Sequence, residues 1–481
     1  MNISALTTDF YELTMMQGFF KNNYNPNVVF DMFYRTNPFY GGYALFAGLD
    51  QLLEKLENFK FSEDDIEYLK TLKRFDDDFL QYLNAFKFRG TLYAMDEAEV
   101  VFAGEPLIRI HTNLIDAQLI EGMLLNTINF QTLIATKASR MVIASKGASI
   151  MEFGLRRAQG DDGALSAARA SFIGGTKVTS NTLAGKLYNI PVSGTMAHSW
   201  IMSFDSEEDS FRKFAAIYPN NCILLIDTYD TLGSGIDNAI IIGLEQKAKG
   251  KKIGVRIDSG DMSYLPRIIR DRLDAAGLND ATIVVSNDIT EEIIQALVAD
   301  DSPIDLWGIG THLVTGGFQS SLNGVYKLCA KEAKDGTVIP TMKISNSFSK
   351  TTNPAVKQVW RFYDEKNGAI SDLITLDSEK IVEGKDYSFY HPFSETDFFK
   401  LKSNKYSSIK ALLTKKMENG VRVDERKSLK ELQASATKNL EMFHKSYKRQ
   451  INPHIFKVSL SSELRKLKRE LVAKERLKMG K

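Results

Sequence analysis

Side chains able to do chemistry collect in the middle of the chain, and each group directly follows a short apolar run. Lone acids in such places often only cap the next helix. Six polar groups after six apolar runs are more than capping alone explains. Because the loops after parallel strands share one edge of a sheet, we expect these groups to meet there. They occupy residues 152–157, 193–198, 227–230, 256–261, 286–288 and 308–311.

The segment "WGIGTHLVTGG" (307–317) predicts a phosphate-binding loop. Gly308 and Gly310 would let backbone N–H groups approach phosphate oxygens, and Thr311 adds a hydroxyl group. Late loops of a βα barrel are frequent phosphate sites. Tight packing of a strand against a helix explains such glycines about as often, so both interpretations stay open.

The segment "RIDSGD" (256–261) places two carboxylates, Asp258 and Asp261, around the turn Ser259-Gly260. Carboxylates in this position suit ribose hydroxyls, or Mg²⁺ held through water. Arg256 beside them suits a carboxylate or a phosphate, because its guanidinium pairs with either through two hydrogen bonds. The segment therefore predicts contacts to a phosphorylated sugar or a similar polyanion.

Two more segments add an aromatic ring and a histidine. "EFGLRRAQG" (152–160) combines Phe153 with Arg156 and Arg157, which suits a flat anionic ring. His198 in "NIPVSGTMAHSWIMSF" (189–204) is either a core histidine at a helix start or a reacting group. Its place after an apolar run favours the second interpretation. The sequence contains no zinc-type Cys/His spacing, no G-x-G-x-x-G at a strand–helix unit and no G-x-S-x-G.

Strands and helices alternate through residues 126–325, which predicts a parallel sheet with helical crossovers. Six such units favour a barrel over an open sheet. One helix start is predicted from a capping box, Asp288 with Glu291. The strand-like runs are "ASIMEF" (148–153), "IPVSG" (190–194), "NCILLIDTY" (221–229), "KIGVRIDSG" (252–260), "ATIVVSND" (281–288) and "PIDLWGIG" (303–310).

The two ends of the chain have a different pattern. Residues 1–125 predict two short helices separated near Phe75, followed by antiparallel strands over 90–112. Residues 326–423 predict two β-hairpins with turns at Asp335-Gly336 and Asn367-Gly368. Residues 424–481 end in a basic helix, whose apolar face predicts docking on the protein rather than nucleic-acid binding.

Composition excludes several classes of function. The 481 residues carry 61 basic and 60 acidic side chains, so net charge gives no reason to expect nucleic acid or an anionic membrane as a partner. Cys222 and Cys329 lie in apolar runs and are expected to be buried thiols of a reducing compartment. We expect a cytoplasmic protein, because the start of the chain lacks a signal-peptide pattern and no apolar run is long enough to span a membrane.

These motifs together resemble nicotinate phosphoribosyltransferase, along nearly the whole chain. The resemblance implies an irregular α/β barrel, with a second α/β domain built from the N-terminal region and post-barrel segments, and a helical C-terminal tail. It also implies the joining of nicotinate to 5-phosphoribosyl 1-diphosphate (PRPP), with ATP as co-substrate and Mg²⁺ as cofactor. The matching segments include "TTDFYELTMMQGF", "FYRTNPFYGGYALFAGLDQLLE", "MEFGLRRAQG", "GTMAHSW", "LLIDTYDT", "VRIDSGD", "WGIGTHLVT" and "FHKSYKRQINPHIFKVSLSSEL".

The resemblance also implies roles for single residues. His198 is the expected phosphohistidine, with Asp227 orienting its ring, since an imidazole accepts a phosphoryl group when its other nitrogen is held. Phe153 is expected on one face of nicotinate, and Tyr11 on the other, from the partner subunit of a head-to-tail homodimer. The remaining expected contacts to substrates are Arg156, Arg256, Asp258, Ser259, Gly260, Asp261, Gly308, Gly310 and Thr311.

Substrate choice rests on the segment "GGTKVTSN" (174–181), which contains no acidic residue. The related enzyme that is specific for nicotinamide carries an aspartate in the corresponding segment. An aspartate there would repel the carboxylate of nicotinate. Nicotinate is therefore the expected substrate. The alternatives are a related enzyme acting on nicotinamide or quinolinate, and a catalytically inactive ligand-binding protein.

Overall fold

A computed structural model describes residues 4–345, 350–366, 368–394 and 396–478. The chain forms two compact units. One consists of Met1–Thr132 together with Ser321–Lys481, and the other of Leu133–Ser320. We call them the discontinuous unit and the barrel unit. The segments after the barrel thus share a unit with the N-terminal region.

The described residues form helices and strands throughout both units. The strands are β1 Asn27–Tyr34, β2 Ala44–Leu45, β3 Thr91–Ala94, β4 Val100–Val101, β5 Ile108–Asn113, β6 Ser149–Glu152, β7 Val178–Thr179, β8 Cys222–Leu225, β9 Ile253–Ile257, β10 Thr282–Asn287, β11 Leu306–Ile309, β12 Gly324–Glu332, β13 Val338–Pro340, β14 Lys357–Tyr363, β15 Ala369–Leu376, β16 Tyr387–Tyr390, β17 Phe398–Leu401, β18 Ser408–Ala411, β19 Thr414–Glu418, β20 Val421–Arg422 and β21 Val458–Leu460. The helices are α1 Phe10–Lys21, α2 Leu49–Glu57, α3 Glu63–Thr71, α4 Asp77–Asn84, α5 Leu114–Leu119, α6 Glu121–Ala144, α7 Gly160–Ile173, α8 Thr182–Tyr188, α9 His198–Met202, α10 Glu207–Ile217, α11 Ile236–Ala248, α12 Tyr264–Ala275, α13 Glu291–Ala299, α14 Thr311–Val314, α15 Leu429–Glu441 and α16 Ser462–Lys478.

The barrel unit contains a parallel sheet in the order β7-β6-β11-β10-β9-β8. Five of its strands lie in predicted runs, namely those at 148–153, 221–229, 252–260, 281–288 and 303–310. The predicted strand at 190–194 is wrong, because this segment makes only one bridge, from Val192 to Thr179. The short strand β7 takes the place beside β6 instead.

The parallel sheet is curled. Met151 on β6, Ile223 on β8 and Val284 on β10 belong to one cluster of buried side chains. Three strands separate β6 from β8 in the sheet order, so a flat sheet would keep Met151 and Ile223 apart. Side chains from alternate strands fill the interior of a barrel in this way. The predicted fold class, an irregular α/β barrel, is confirmed.

The discontinuous unit interleaves strands from both ends of the chain. Its larger sheet has the order β13-β12-β1-β5-β3-β19-β20, and all neighbours are antiparallel. A second sheet has the order β17-β16-β21-β15-β14-β18. Strands β1, β3 and β5 come from before the barrel and the other members of the larger sheet from after it. This confirms a second domain built from the N-terminal region and post-barrel segments.

Several local predictions for this unit are confirmed. Helices α3 and α4 lie on either side of Phe75. Strands β12 and β13 form the hairpin around Asp335-Gly336, and β14 pairs with β15. Residue Asn367, in the turn predicted for the second hairpin, lies outside the described residues. The basic helix α16 buries Leu464 and packs on β15 and β16.

Cys222 and Cys329 are both buried free thiols, as predicted. Burial raises the pKa of Cys222 to about 11. In the described part of the chain, no helix has the length and hydropathy needed to cross a bilayer.

Candidate active site

Polar residues follow the strands of the curled sheet at its carboxyl edge. Asp227 comes two residues after β8, Asp258 directly after β9, and Ser286 lies at the end of β10. Phe153 follows β6 and Gly310 follows β11. The carboxyl ends of parallel strands meet at one edge, which brings these groups together. Hydrogen bonds join the groups that follow β8, β9 and β10.

Arg256 on β9 connects the ends of β9 and β10 with the loop before His198. Its Nε donates to Ser286 Oγ at 2.9 Å, and its Nη1 donates to Thr195 Oγ1 at 2.8 Å. Its Nη2 lies 3.2 Å from Asp258 Oδ1, and the arginine side chain is 15% exposed. The guanidinium therefore holds the segment before His198 against β9 and β10. Thr195 and Ser286 lie in the polar segments predicted to meet here, but their contact with Arg256 was not predicted.

Asp258 is held as a carboxylate. Partial burial would raise its pKa, but the hydrogen bond from Ser286 and the charge of Arg256 outweigh burial and lower the pKa. The distance from Ser286 Oγ to Asp258 Oδ1 is 2.6 Å. A fixed anion at this edge suits ribose hydroxyls or a hydrated cation.

Asp227 is tied to the turn after β9. Its Oδ2 accepts from the backbone N–H of Asp258 at 2.9 Å and from the hydroxyl of Ser259 at 2.6 Å. Its Oδ1 is buried and has no hydrogen-bond partner among the described residues. Buried oxygens are rarely left unsatisfied, so this one marks a place for a ligand, water or cation.

His198 is the first residue of α9 and is partly exposed. Its Nδ1 lies 3.0 Å from the hydroxyl oxygen of Thr228. The structure differs here from the expected contact with Asp227, because that carboxylate is bound to the turn after β9. When Nδ1–H donates to Thr228, the lone pair of Nε2 is free to act as a nucleophile. Thr228 lies in the predicted polar segment 227–230, but no role was predicted for it, because a hydroxyl after a strand carries no distinctive signal.

The ring of Phe153 forms an aromatic wall of the site, and Gly308 packs against that ring. Gly308 lies inside β11, and a Cβ atom on it would come 2.9 Å from Phe153 Cδ2. Gly310 has a similar constraint, since a Cβ there would come 3.2 Å from the Phe153 carbonyl oxygen. Close packing therefore accounts for Gly308. Gly310 and Thr311 lie at the start of α14, so their backbone N–H groups stay candidates for binding a phosphate.

Glu152 holds the backbone next to Phe153 in place. Its carboxylate accepts from the Thr179 hydroxyl at 2.5 Å and from the Gly154 N–H at 2.5 Å. Burial raises the pKa of Glu152. The side chain thereby fixes the turn that carries Phe153 and the neighbouring segment 174–181. Its buried position identifies it as a positioning residue.

Three protein-family models match the chain. They are the nicotinate phosphoribosyltransferase N-terminal domain over residues 6–129, the nicotinate phosphoribosyltransferase family over 148–364, and the C-terminal domain over 356–468. A nicotinate phosphoribosyltransferase of Bacillus subtilis (strain 168) is 40% identical over 461 residues, covering 95% of this chain and 93% of that protein. The chain belongs to the nicotinate phosphoribosyltransferase family.

Other members of the family extend this similarity. The nicotinate phosphoribosyltransferase of Caenorhabditis elegans is 34% identical, covering 96% of this chain and 92% of its own. The crystal structure of human nicotinic acid phosphoribosyltransferase superimposes with a TM-score of 0.85 at 28% identity, covering 96% of this chain and 99% of the human one. The fold and the order of the motifs are thus those of nicotinate phosphoribosyltransferases.

Some residues expected at the site of this phosphoribosyltransferase have a simpler local role. Asp261 caps α12, because its Oδ1 accepts from the N–H groups of Ser263 and Tyr264 at 2.8 and 2.9 Å. These two hydrogen bonds lower the pKa of Asp261. Gly260 has φ +86°, a conformation that favours glycine. Helix capping and turn geometry therefore explain both residues without a ligand.

Arg156 and Tyr11 are not drawn into the hydrogen-bonded group around Arg256. Arg156 lies on the exposed 3-10 turn Leu155–Arg157. Tyr11 lies on α1 of the discontinuous unit and is 51% exposed. Partial burial and a hydrogen bond with Glu12 raise the pKa of Tyr11. Both side chains are exposed enough to contact a ligand or another subunit.

The capping box predicted for Asp288 and Glu291 is wrong. Helix α13 begins at Glu291 and is capped by Thr290, whose hydroxyl accepts from the Ile293 N–H at 3.3 Å. Glu291 is buried instead and forms ion pairs with Lys137 and Arg140. A buried acid facing two cations from a distant helix leaves no local pattern in the sequence.

Proposed function

We propose that the enzyme transfers the phosphoribosyl group of PRPP to nicotinate, giving nicotinate mononucleotide and pyrophosphate. We further propose that ATP hydrolysis drives the reaction through phosphorylation of His198. Family membership supports the transfer reaction. The observation that carries the ATP-dependent step is the 3.0 Å contact between His198 Nδ1 and Thr228 Oγ1, at the edge occupied by Arg256 and Asp258.

The phosphohistidine step uses the tautomer of His198 that the contact with Thr228 favours. With its Nδ1–H donated to Thr228, the Nε2 lone pair attacks the γ-phosphorus of ATP. The new N–P bond replaces the P–O bond to ADP, which leaves. Water later cleaves the N–P bond and releases phosphate. In this proposal Thr228 does the work that the sequence assigned to Asp227.

The transfer step requires charge stabilisation at both sides of the ribose. Departure of pyrophosphate develops positive charge at the anomeric carbon, as in glycoside cleavage. Asp258, held ionised beside Arg256, would stabilise that charge or bind the ribose hydroxyls. Gly310 and Thr311 would receive the 5′-phosphate at the start of α14.

The residues present fit a Mg²⁺ ion. Asp227 Oδ1 is buried without a hydrogen-bond partner among the described residues, and Asp258 is an ionised neighbour on the same edge. Mg²⁺ characteristically uses one or two carboxylates together with substrate phosphates, which matches this pair. When bound, the ion would neutralise the charge of the leaving pyrophosphate.

Nicotinate would lie against the Phe153 ring, with its carboxylate facing Arg156. Phe153 is well placed for this because Glu152 and Gly308 fix its backbone and leave room for its ring. Tyr11, supplied by the second subunit of a homodimer, would cover the other face. The segment 174–181 presents no acid to repel the carboxylate.

A product assay tests the proposal. The wild-type enzyme, PRPP and Mg²⁺ are incubated with nicotinate, nicotinamide or quinolinate, with and without ATP. We expect nicotinate mononucleotide as the main product and faster turnover with ATP. Preferred use of nicotinamide or quinolinate would overturn the substrate assignment, and no turnover of any substrate would favour a binding protein.

Phosphate mapping with matched variants tests the role of His198. Incubation with γ-labelled ATP should label His198 in the wild type and in Thr228→Ser, which retains a hydroxyl. Thr228→Val should be labelled about tenfold more slowly, and His198→Ala should not be labelled. ATP-stimulated turnover in His198→Ala would contradict the phosphoryl-acceptor role.

A further inference from the structure

The discontinuous unit contains a cavity that the proposed function does not use. Its volume is about 490 Å³, within the range of small-molecule sites. Five segments of the unit line it, at 31–37, 102–106, 351–357, 389–399 and 454–459, excluding residue 395. None of the residues assigned above to nicotinate, PRPP or ATP lines this cavity. We call it the phenylalanine cavity.

Aromatic side chains form one part of its wall, together with polar and charged residues. Among the described residues that line it, seven are phenylalanines. Phe389 and Phe399 stack with ring centroids 4.6 Å apart, and Phe102 stacks on Phe456 at 4.1 Å. Phe102, Phe389 and Phe456 are buried, so a planar ligand would contact the lining rings that are partly or fully exposed.

The mouth of the cavity is apolar and open. Phe398 is 60% exposed and Ile455 is 79% exposed, and both line it. Grouped apolar side chains at a protein surface cost free energy unless something covers them. A ligand with a flat apolar part would cover these groups.

One cation in the cavity lacks a partner. Arg35 follows β1, and its Nε is buried with no hydrogen-bond partner in the described part of the chain. The described residues include none that forms an ion pair with its guanidinium. Arg35 as a whole is partly exposed, but an N–H group of a guanidinium that is removed from water normally donates to a carboxylate or phosphate oxygen. Arg35 is therefore the natural contact for an anionic group.

The described charged residues that line the cavity carry more positive than negative charge. Lys357 is buried and is matched by Asp31, with Nζ and Oδ2 2.8 Å apart. Lys457 is exposed, with Nζ 4.4 Å from the centroid of the Phe399 ring. The other acid on the lining is Asp397, which is exposed at the rim. Among the described lining residues outside the Lys357–Asp31 pair, the two cations Arg35 and Lys457 thus outnumber the one carboxylate, that of Asp397.

A third lysine lies directly behind the wall. Lys468 on α16 donates to Asn353 Oδ1 at 2.8 Å and to the Pro392 carbonyl oxygen at 3.3 Å, and both residues line the cavity. Burial, together with the charge of Lys357, lowers the pKa of Lys468 to about 8. Lys468 thus adds a positive charge beside the lining residues, and an anion in the cavity would be attracted to it.

We propose that the phenylalanine cavity binds a nucleoside phosphate, with the base against the phenylalanine rings and the phosphate on Arg35. Its volume is far larger than a single pyridine ring needs, while a base, a ribose and a phosphate together fill such a space. The guanidinium of Arg35 matches a phosphate through two parallel hydrogen bonds. The inference does not rest on the proposed function, because it requires binding and no turnover.

Calorimetric titration of the full-length protein with adenosine 5′-monophosphate tests the proposal, with adenosine and inorganic phosphate as partial probes. We expect the monophosphate to bind at least tenfold more tightly than either probe. Arg35→Gln should weaken its binding about tenfold or more. Arg476→Gln, an exposed arginine on α16 that does not line the cavity, should leave binding unchanged.

Further variants separate this cavity from the sheet edge and guard against misfolding. Phe398→Ser and Lys457→Gln change exposed residues at the mouth, and each should weaken binding severalfold while the protein stays folded. Arg256→Gln should not affect the titration at this cavity. Binding lost in Arg256→Gln and retained in Arg35→Gln, equal binding of adenosine, or no binding at millimolar concentration would each overturn the proposal.

Discussion

Two arginine–aspartate pairs in this chain have opposite environments. Arg361 in the discontinuous unit is 0% exposed, and it donates to both oxygens of Asp372 and to Glu99. Arg256 in the barrel unit is 15% exposed, beside an Asp258 that is 28% exposed. The first pair is closed on all sides by protein, whereas the second is open to ligands. The same residue types thus form a closed ion pair in one unit and a partly exposed one in the other.

The buried cluster also contains an acid whose protonated form is favoured. Burial and the neighbouring charge of Asp372 raise the pKa of Glu105 well above its usual value. Its Oε1 has no hydrogen-bond partner among the described residues as long as it is ionised. Once protonated, it can donate to Asp372. The cluster therefore contains two cations, Arg361 and Lys410 (Nζ 3.4 Å from Glu99 Oε2), for three carboxyl groups, and a proton on Glu105 completes the balance.

The largest effect is expected at the buried pair. Arg361→Met would leave Asp372 buried without its cation, while Glu99 would keep only Lys410, and breaking a buried pair in this way typically costs about 3–5 kcal/mol. We expect that loss in the free energy of unfolding, measured by chemical denaturation. Arg212→Met removes an exposed pair with Glu245 and Glu208 and should cost less than about 1 kcal/mol. Similar losses in the two variants would contradict the distinction drawn here.

The second effect should appear in activity rather than stability. Arg256→Met removes the cation from the sheet edge, and we expect kcat/KM to fall about 100-fold, as for loss of one stabilising donor. Its denaturation midpoint should change much less than that of Arg361→Met. Lys252→Met, at the opposite end of β9, is the matched control and should keep full activity. Unchanged activity in Arg256→Met would show that the open pair is only structural.

The pH dependence of stability should report the protonated acid of the closed cluster. Because the folded state raises the pKa of Glu105, its contribution is complete below the unfolded value of about 4.5 and is lost as pH rises. One proton gives at most about 1.4 kcal/mol per pH unit. In Glu105→Gln, the amide can still donate to Asp372, so this slope should disappear. Denaturation of both proteins from pH 5 to 9 measures it, and parallel curves would refute the assignment.

The smallest effect concerns the aromatic wall of the open site. Gly308→Ala places a methyl group 2.9 Å from the Phe153 ring, so the ring must shift. We expect KM for nicotinate to rise about tenfold or less, with KM for PRPP nearly unchanged. Gly18→Ala, with open space around its Cβ, is the control for adding a methyl group. Equal changes in both Michaelis constants would show that Gly308 acts on the whole site.

The sequence predicted the open site better than the closed cluster. Asp227, Asp258 and Gly310 follow strands, so strand–helix alternation alone brought them to one edge. Partners within that edge were less visible, since a hydroxyl such as Thr228 is common in any loop. The sequence patterns could not identify the contact of His198 with Thr228 in place of Asp227.

Long-range pairing explains the other failures. Arg361 and Glu99 are 262 positions apart, and nothing near either residue marks their contact. Strand β7 has two residues, too few for any periodic pattern. Thr290 replaced Asp288 as a helix cap because both are good capping residues and only the backbone path selects one. Local sequence patterns predicted helices and strands, whereas the partners of individual side chains depend on three-dimensional packing.

The interleaved sheet of the discontinuous unit has a consequence for synthesis on the ribosome. Strands β1, β5 and β3 emerge first, but their outer neighbours β12 and β19 follow the barrel unit, Leu133–Ser320. At about 5–20 residues per second, translating that insertion takes roughly 10–40 s. For this time the nascent three-stranded sheet has two open edges, each able to pair with another chain. Chaperones that shield strand edges during this interval should therefore raise the yield of folded enzyme more than those acting after release.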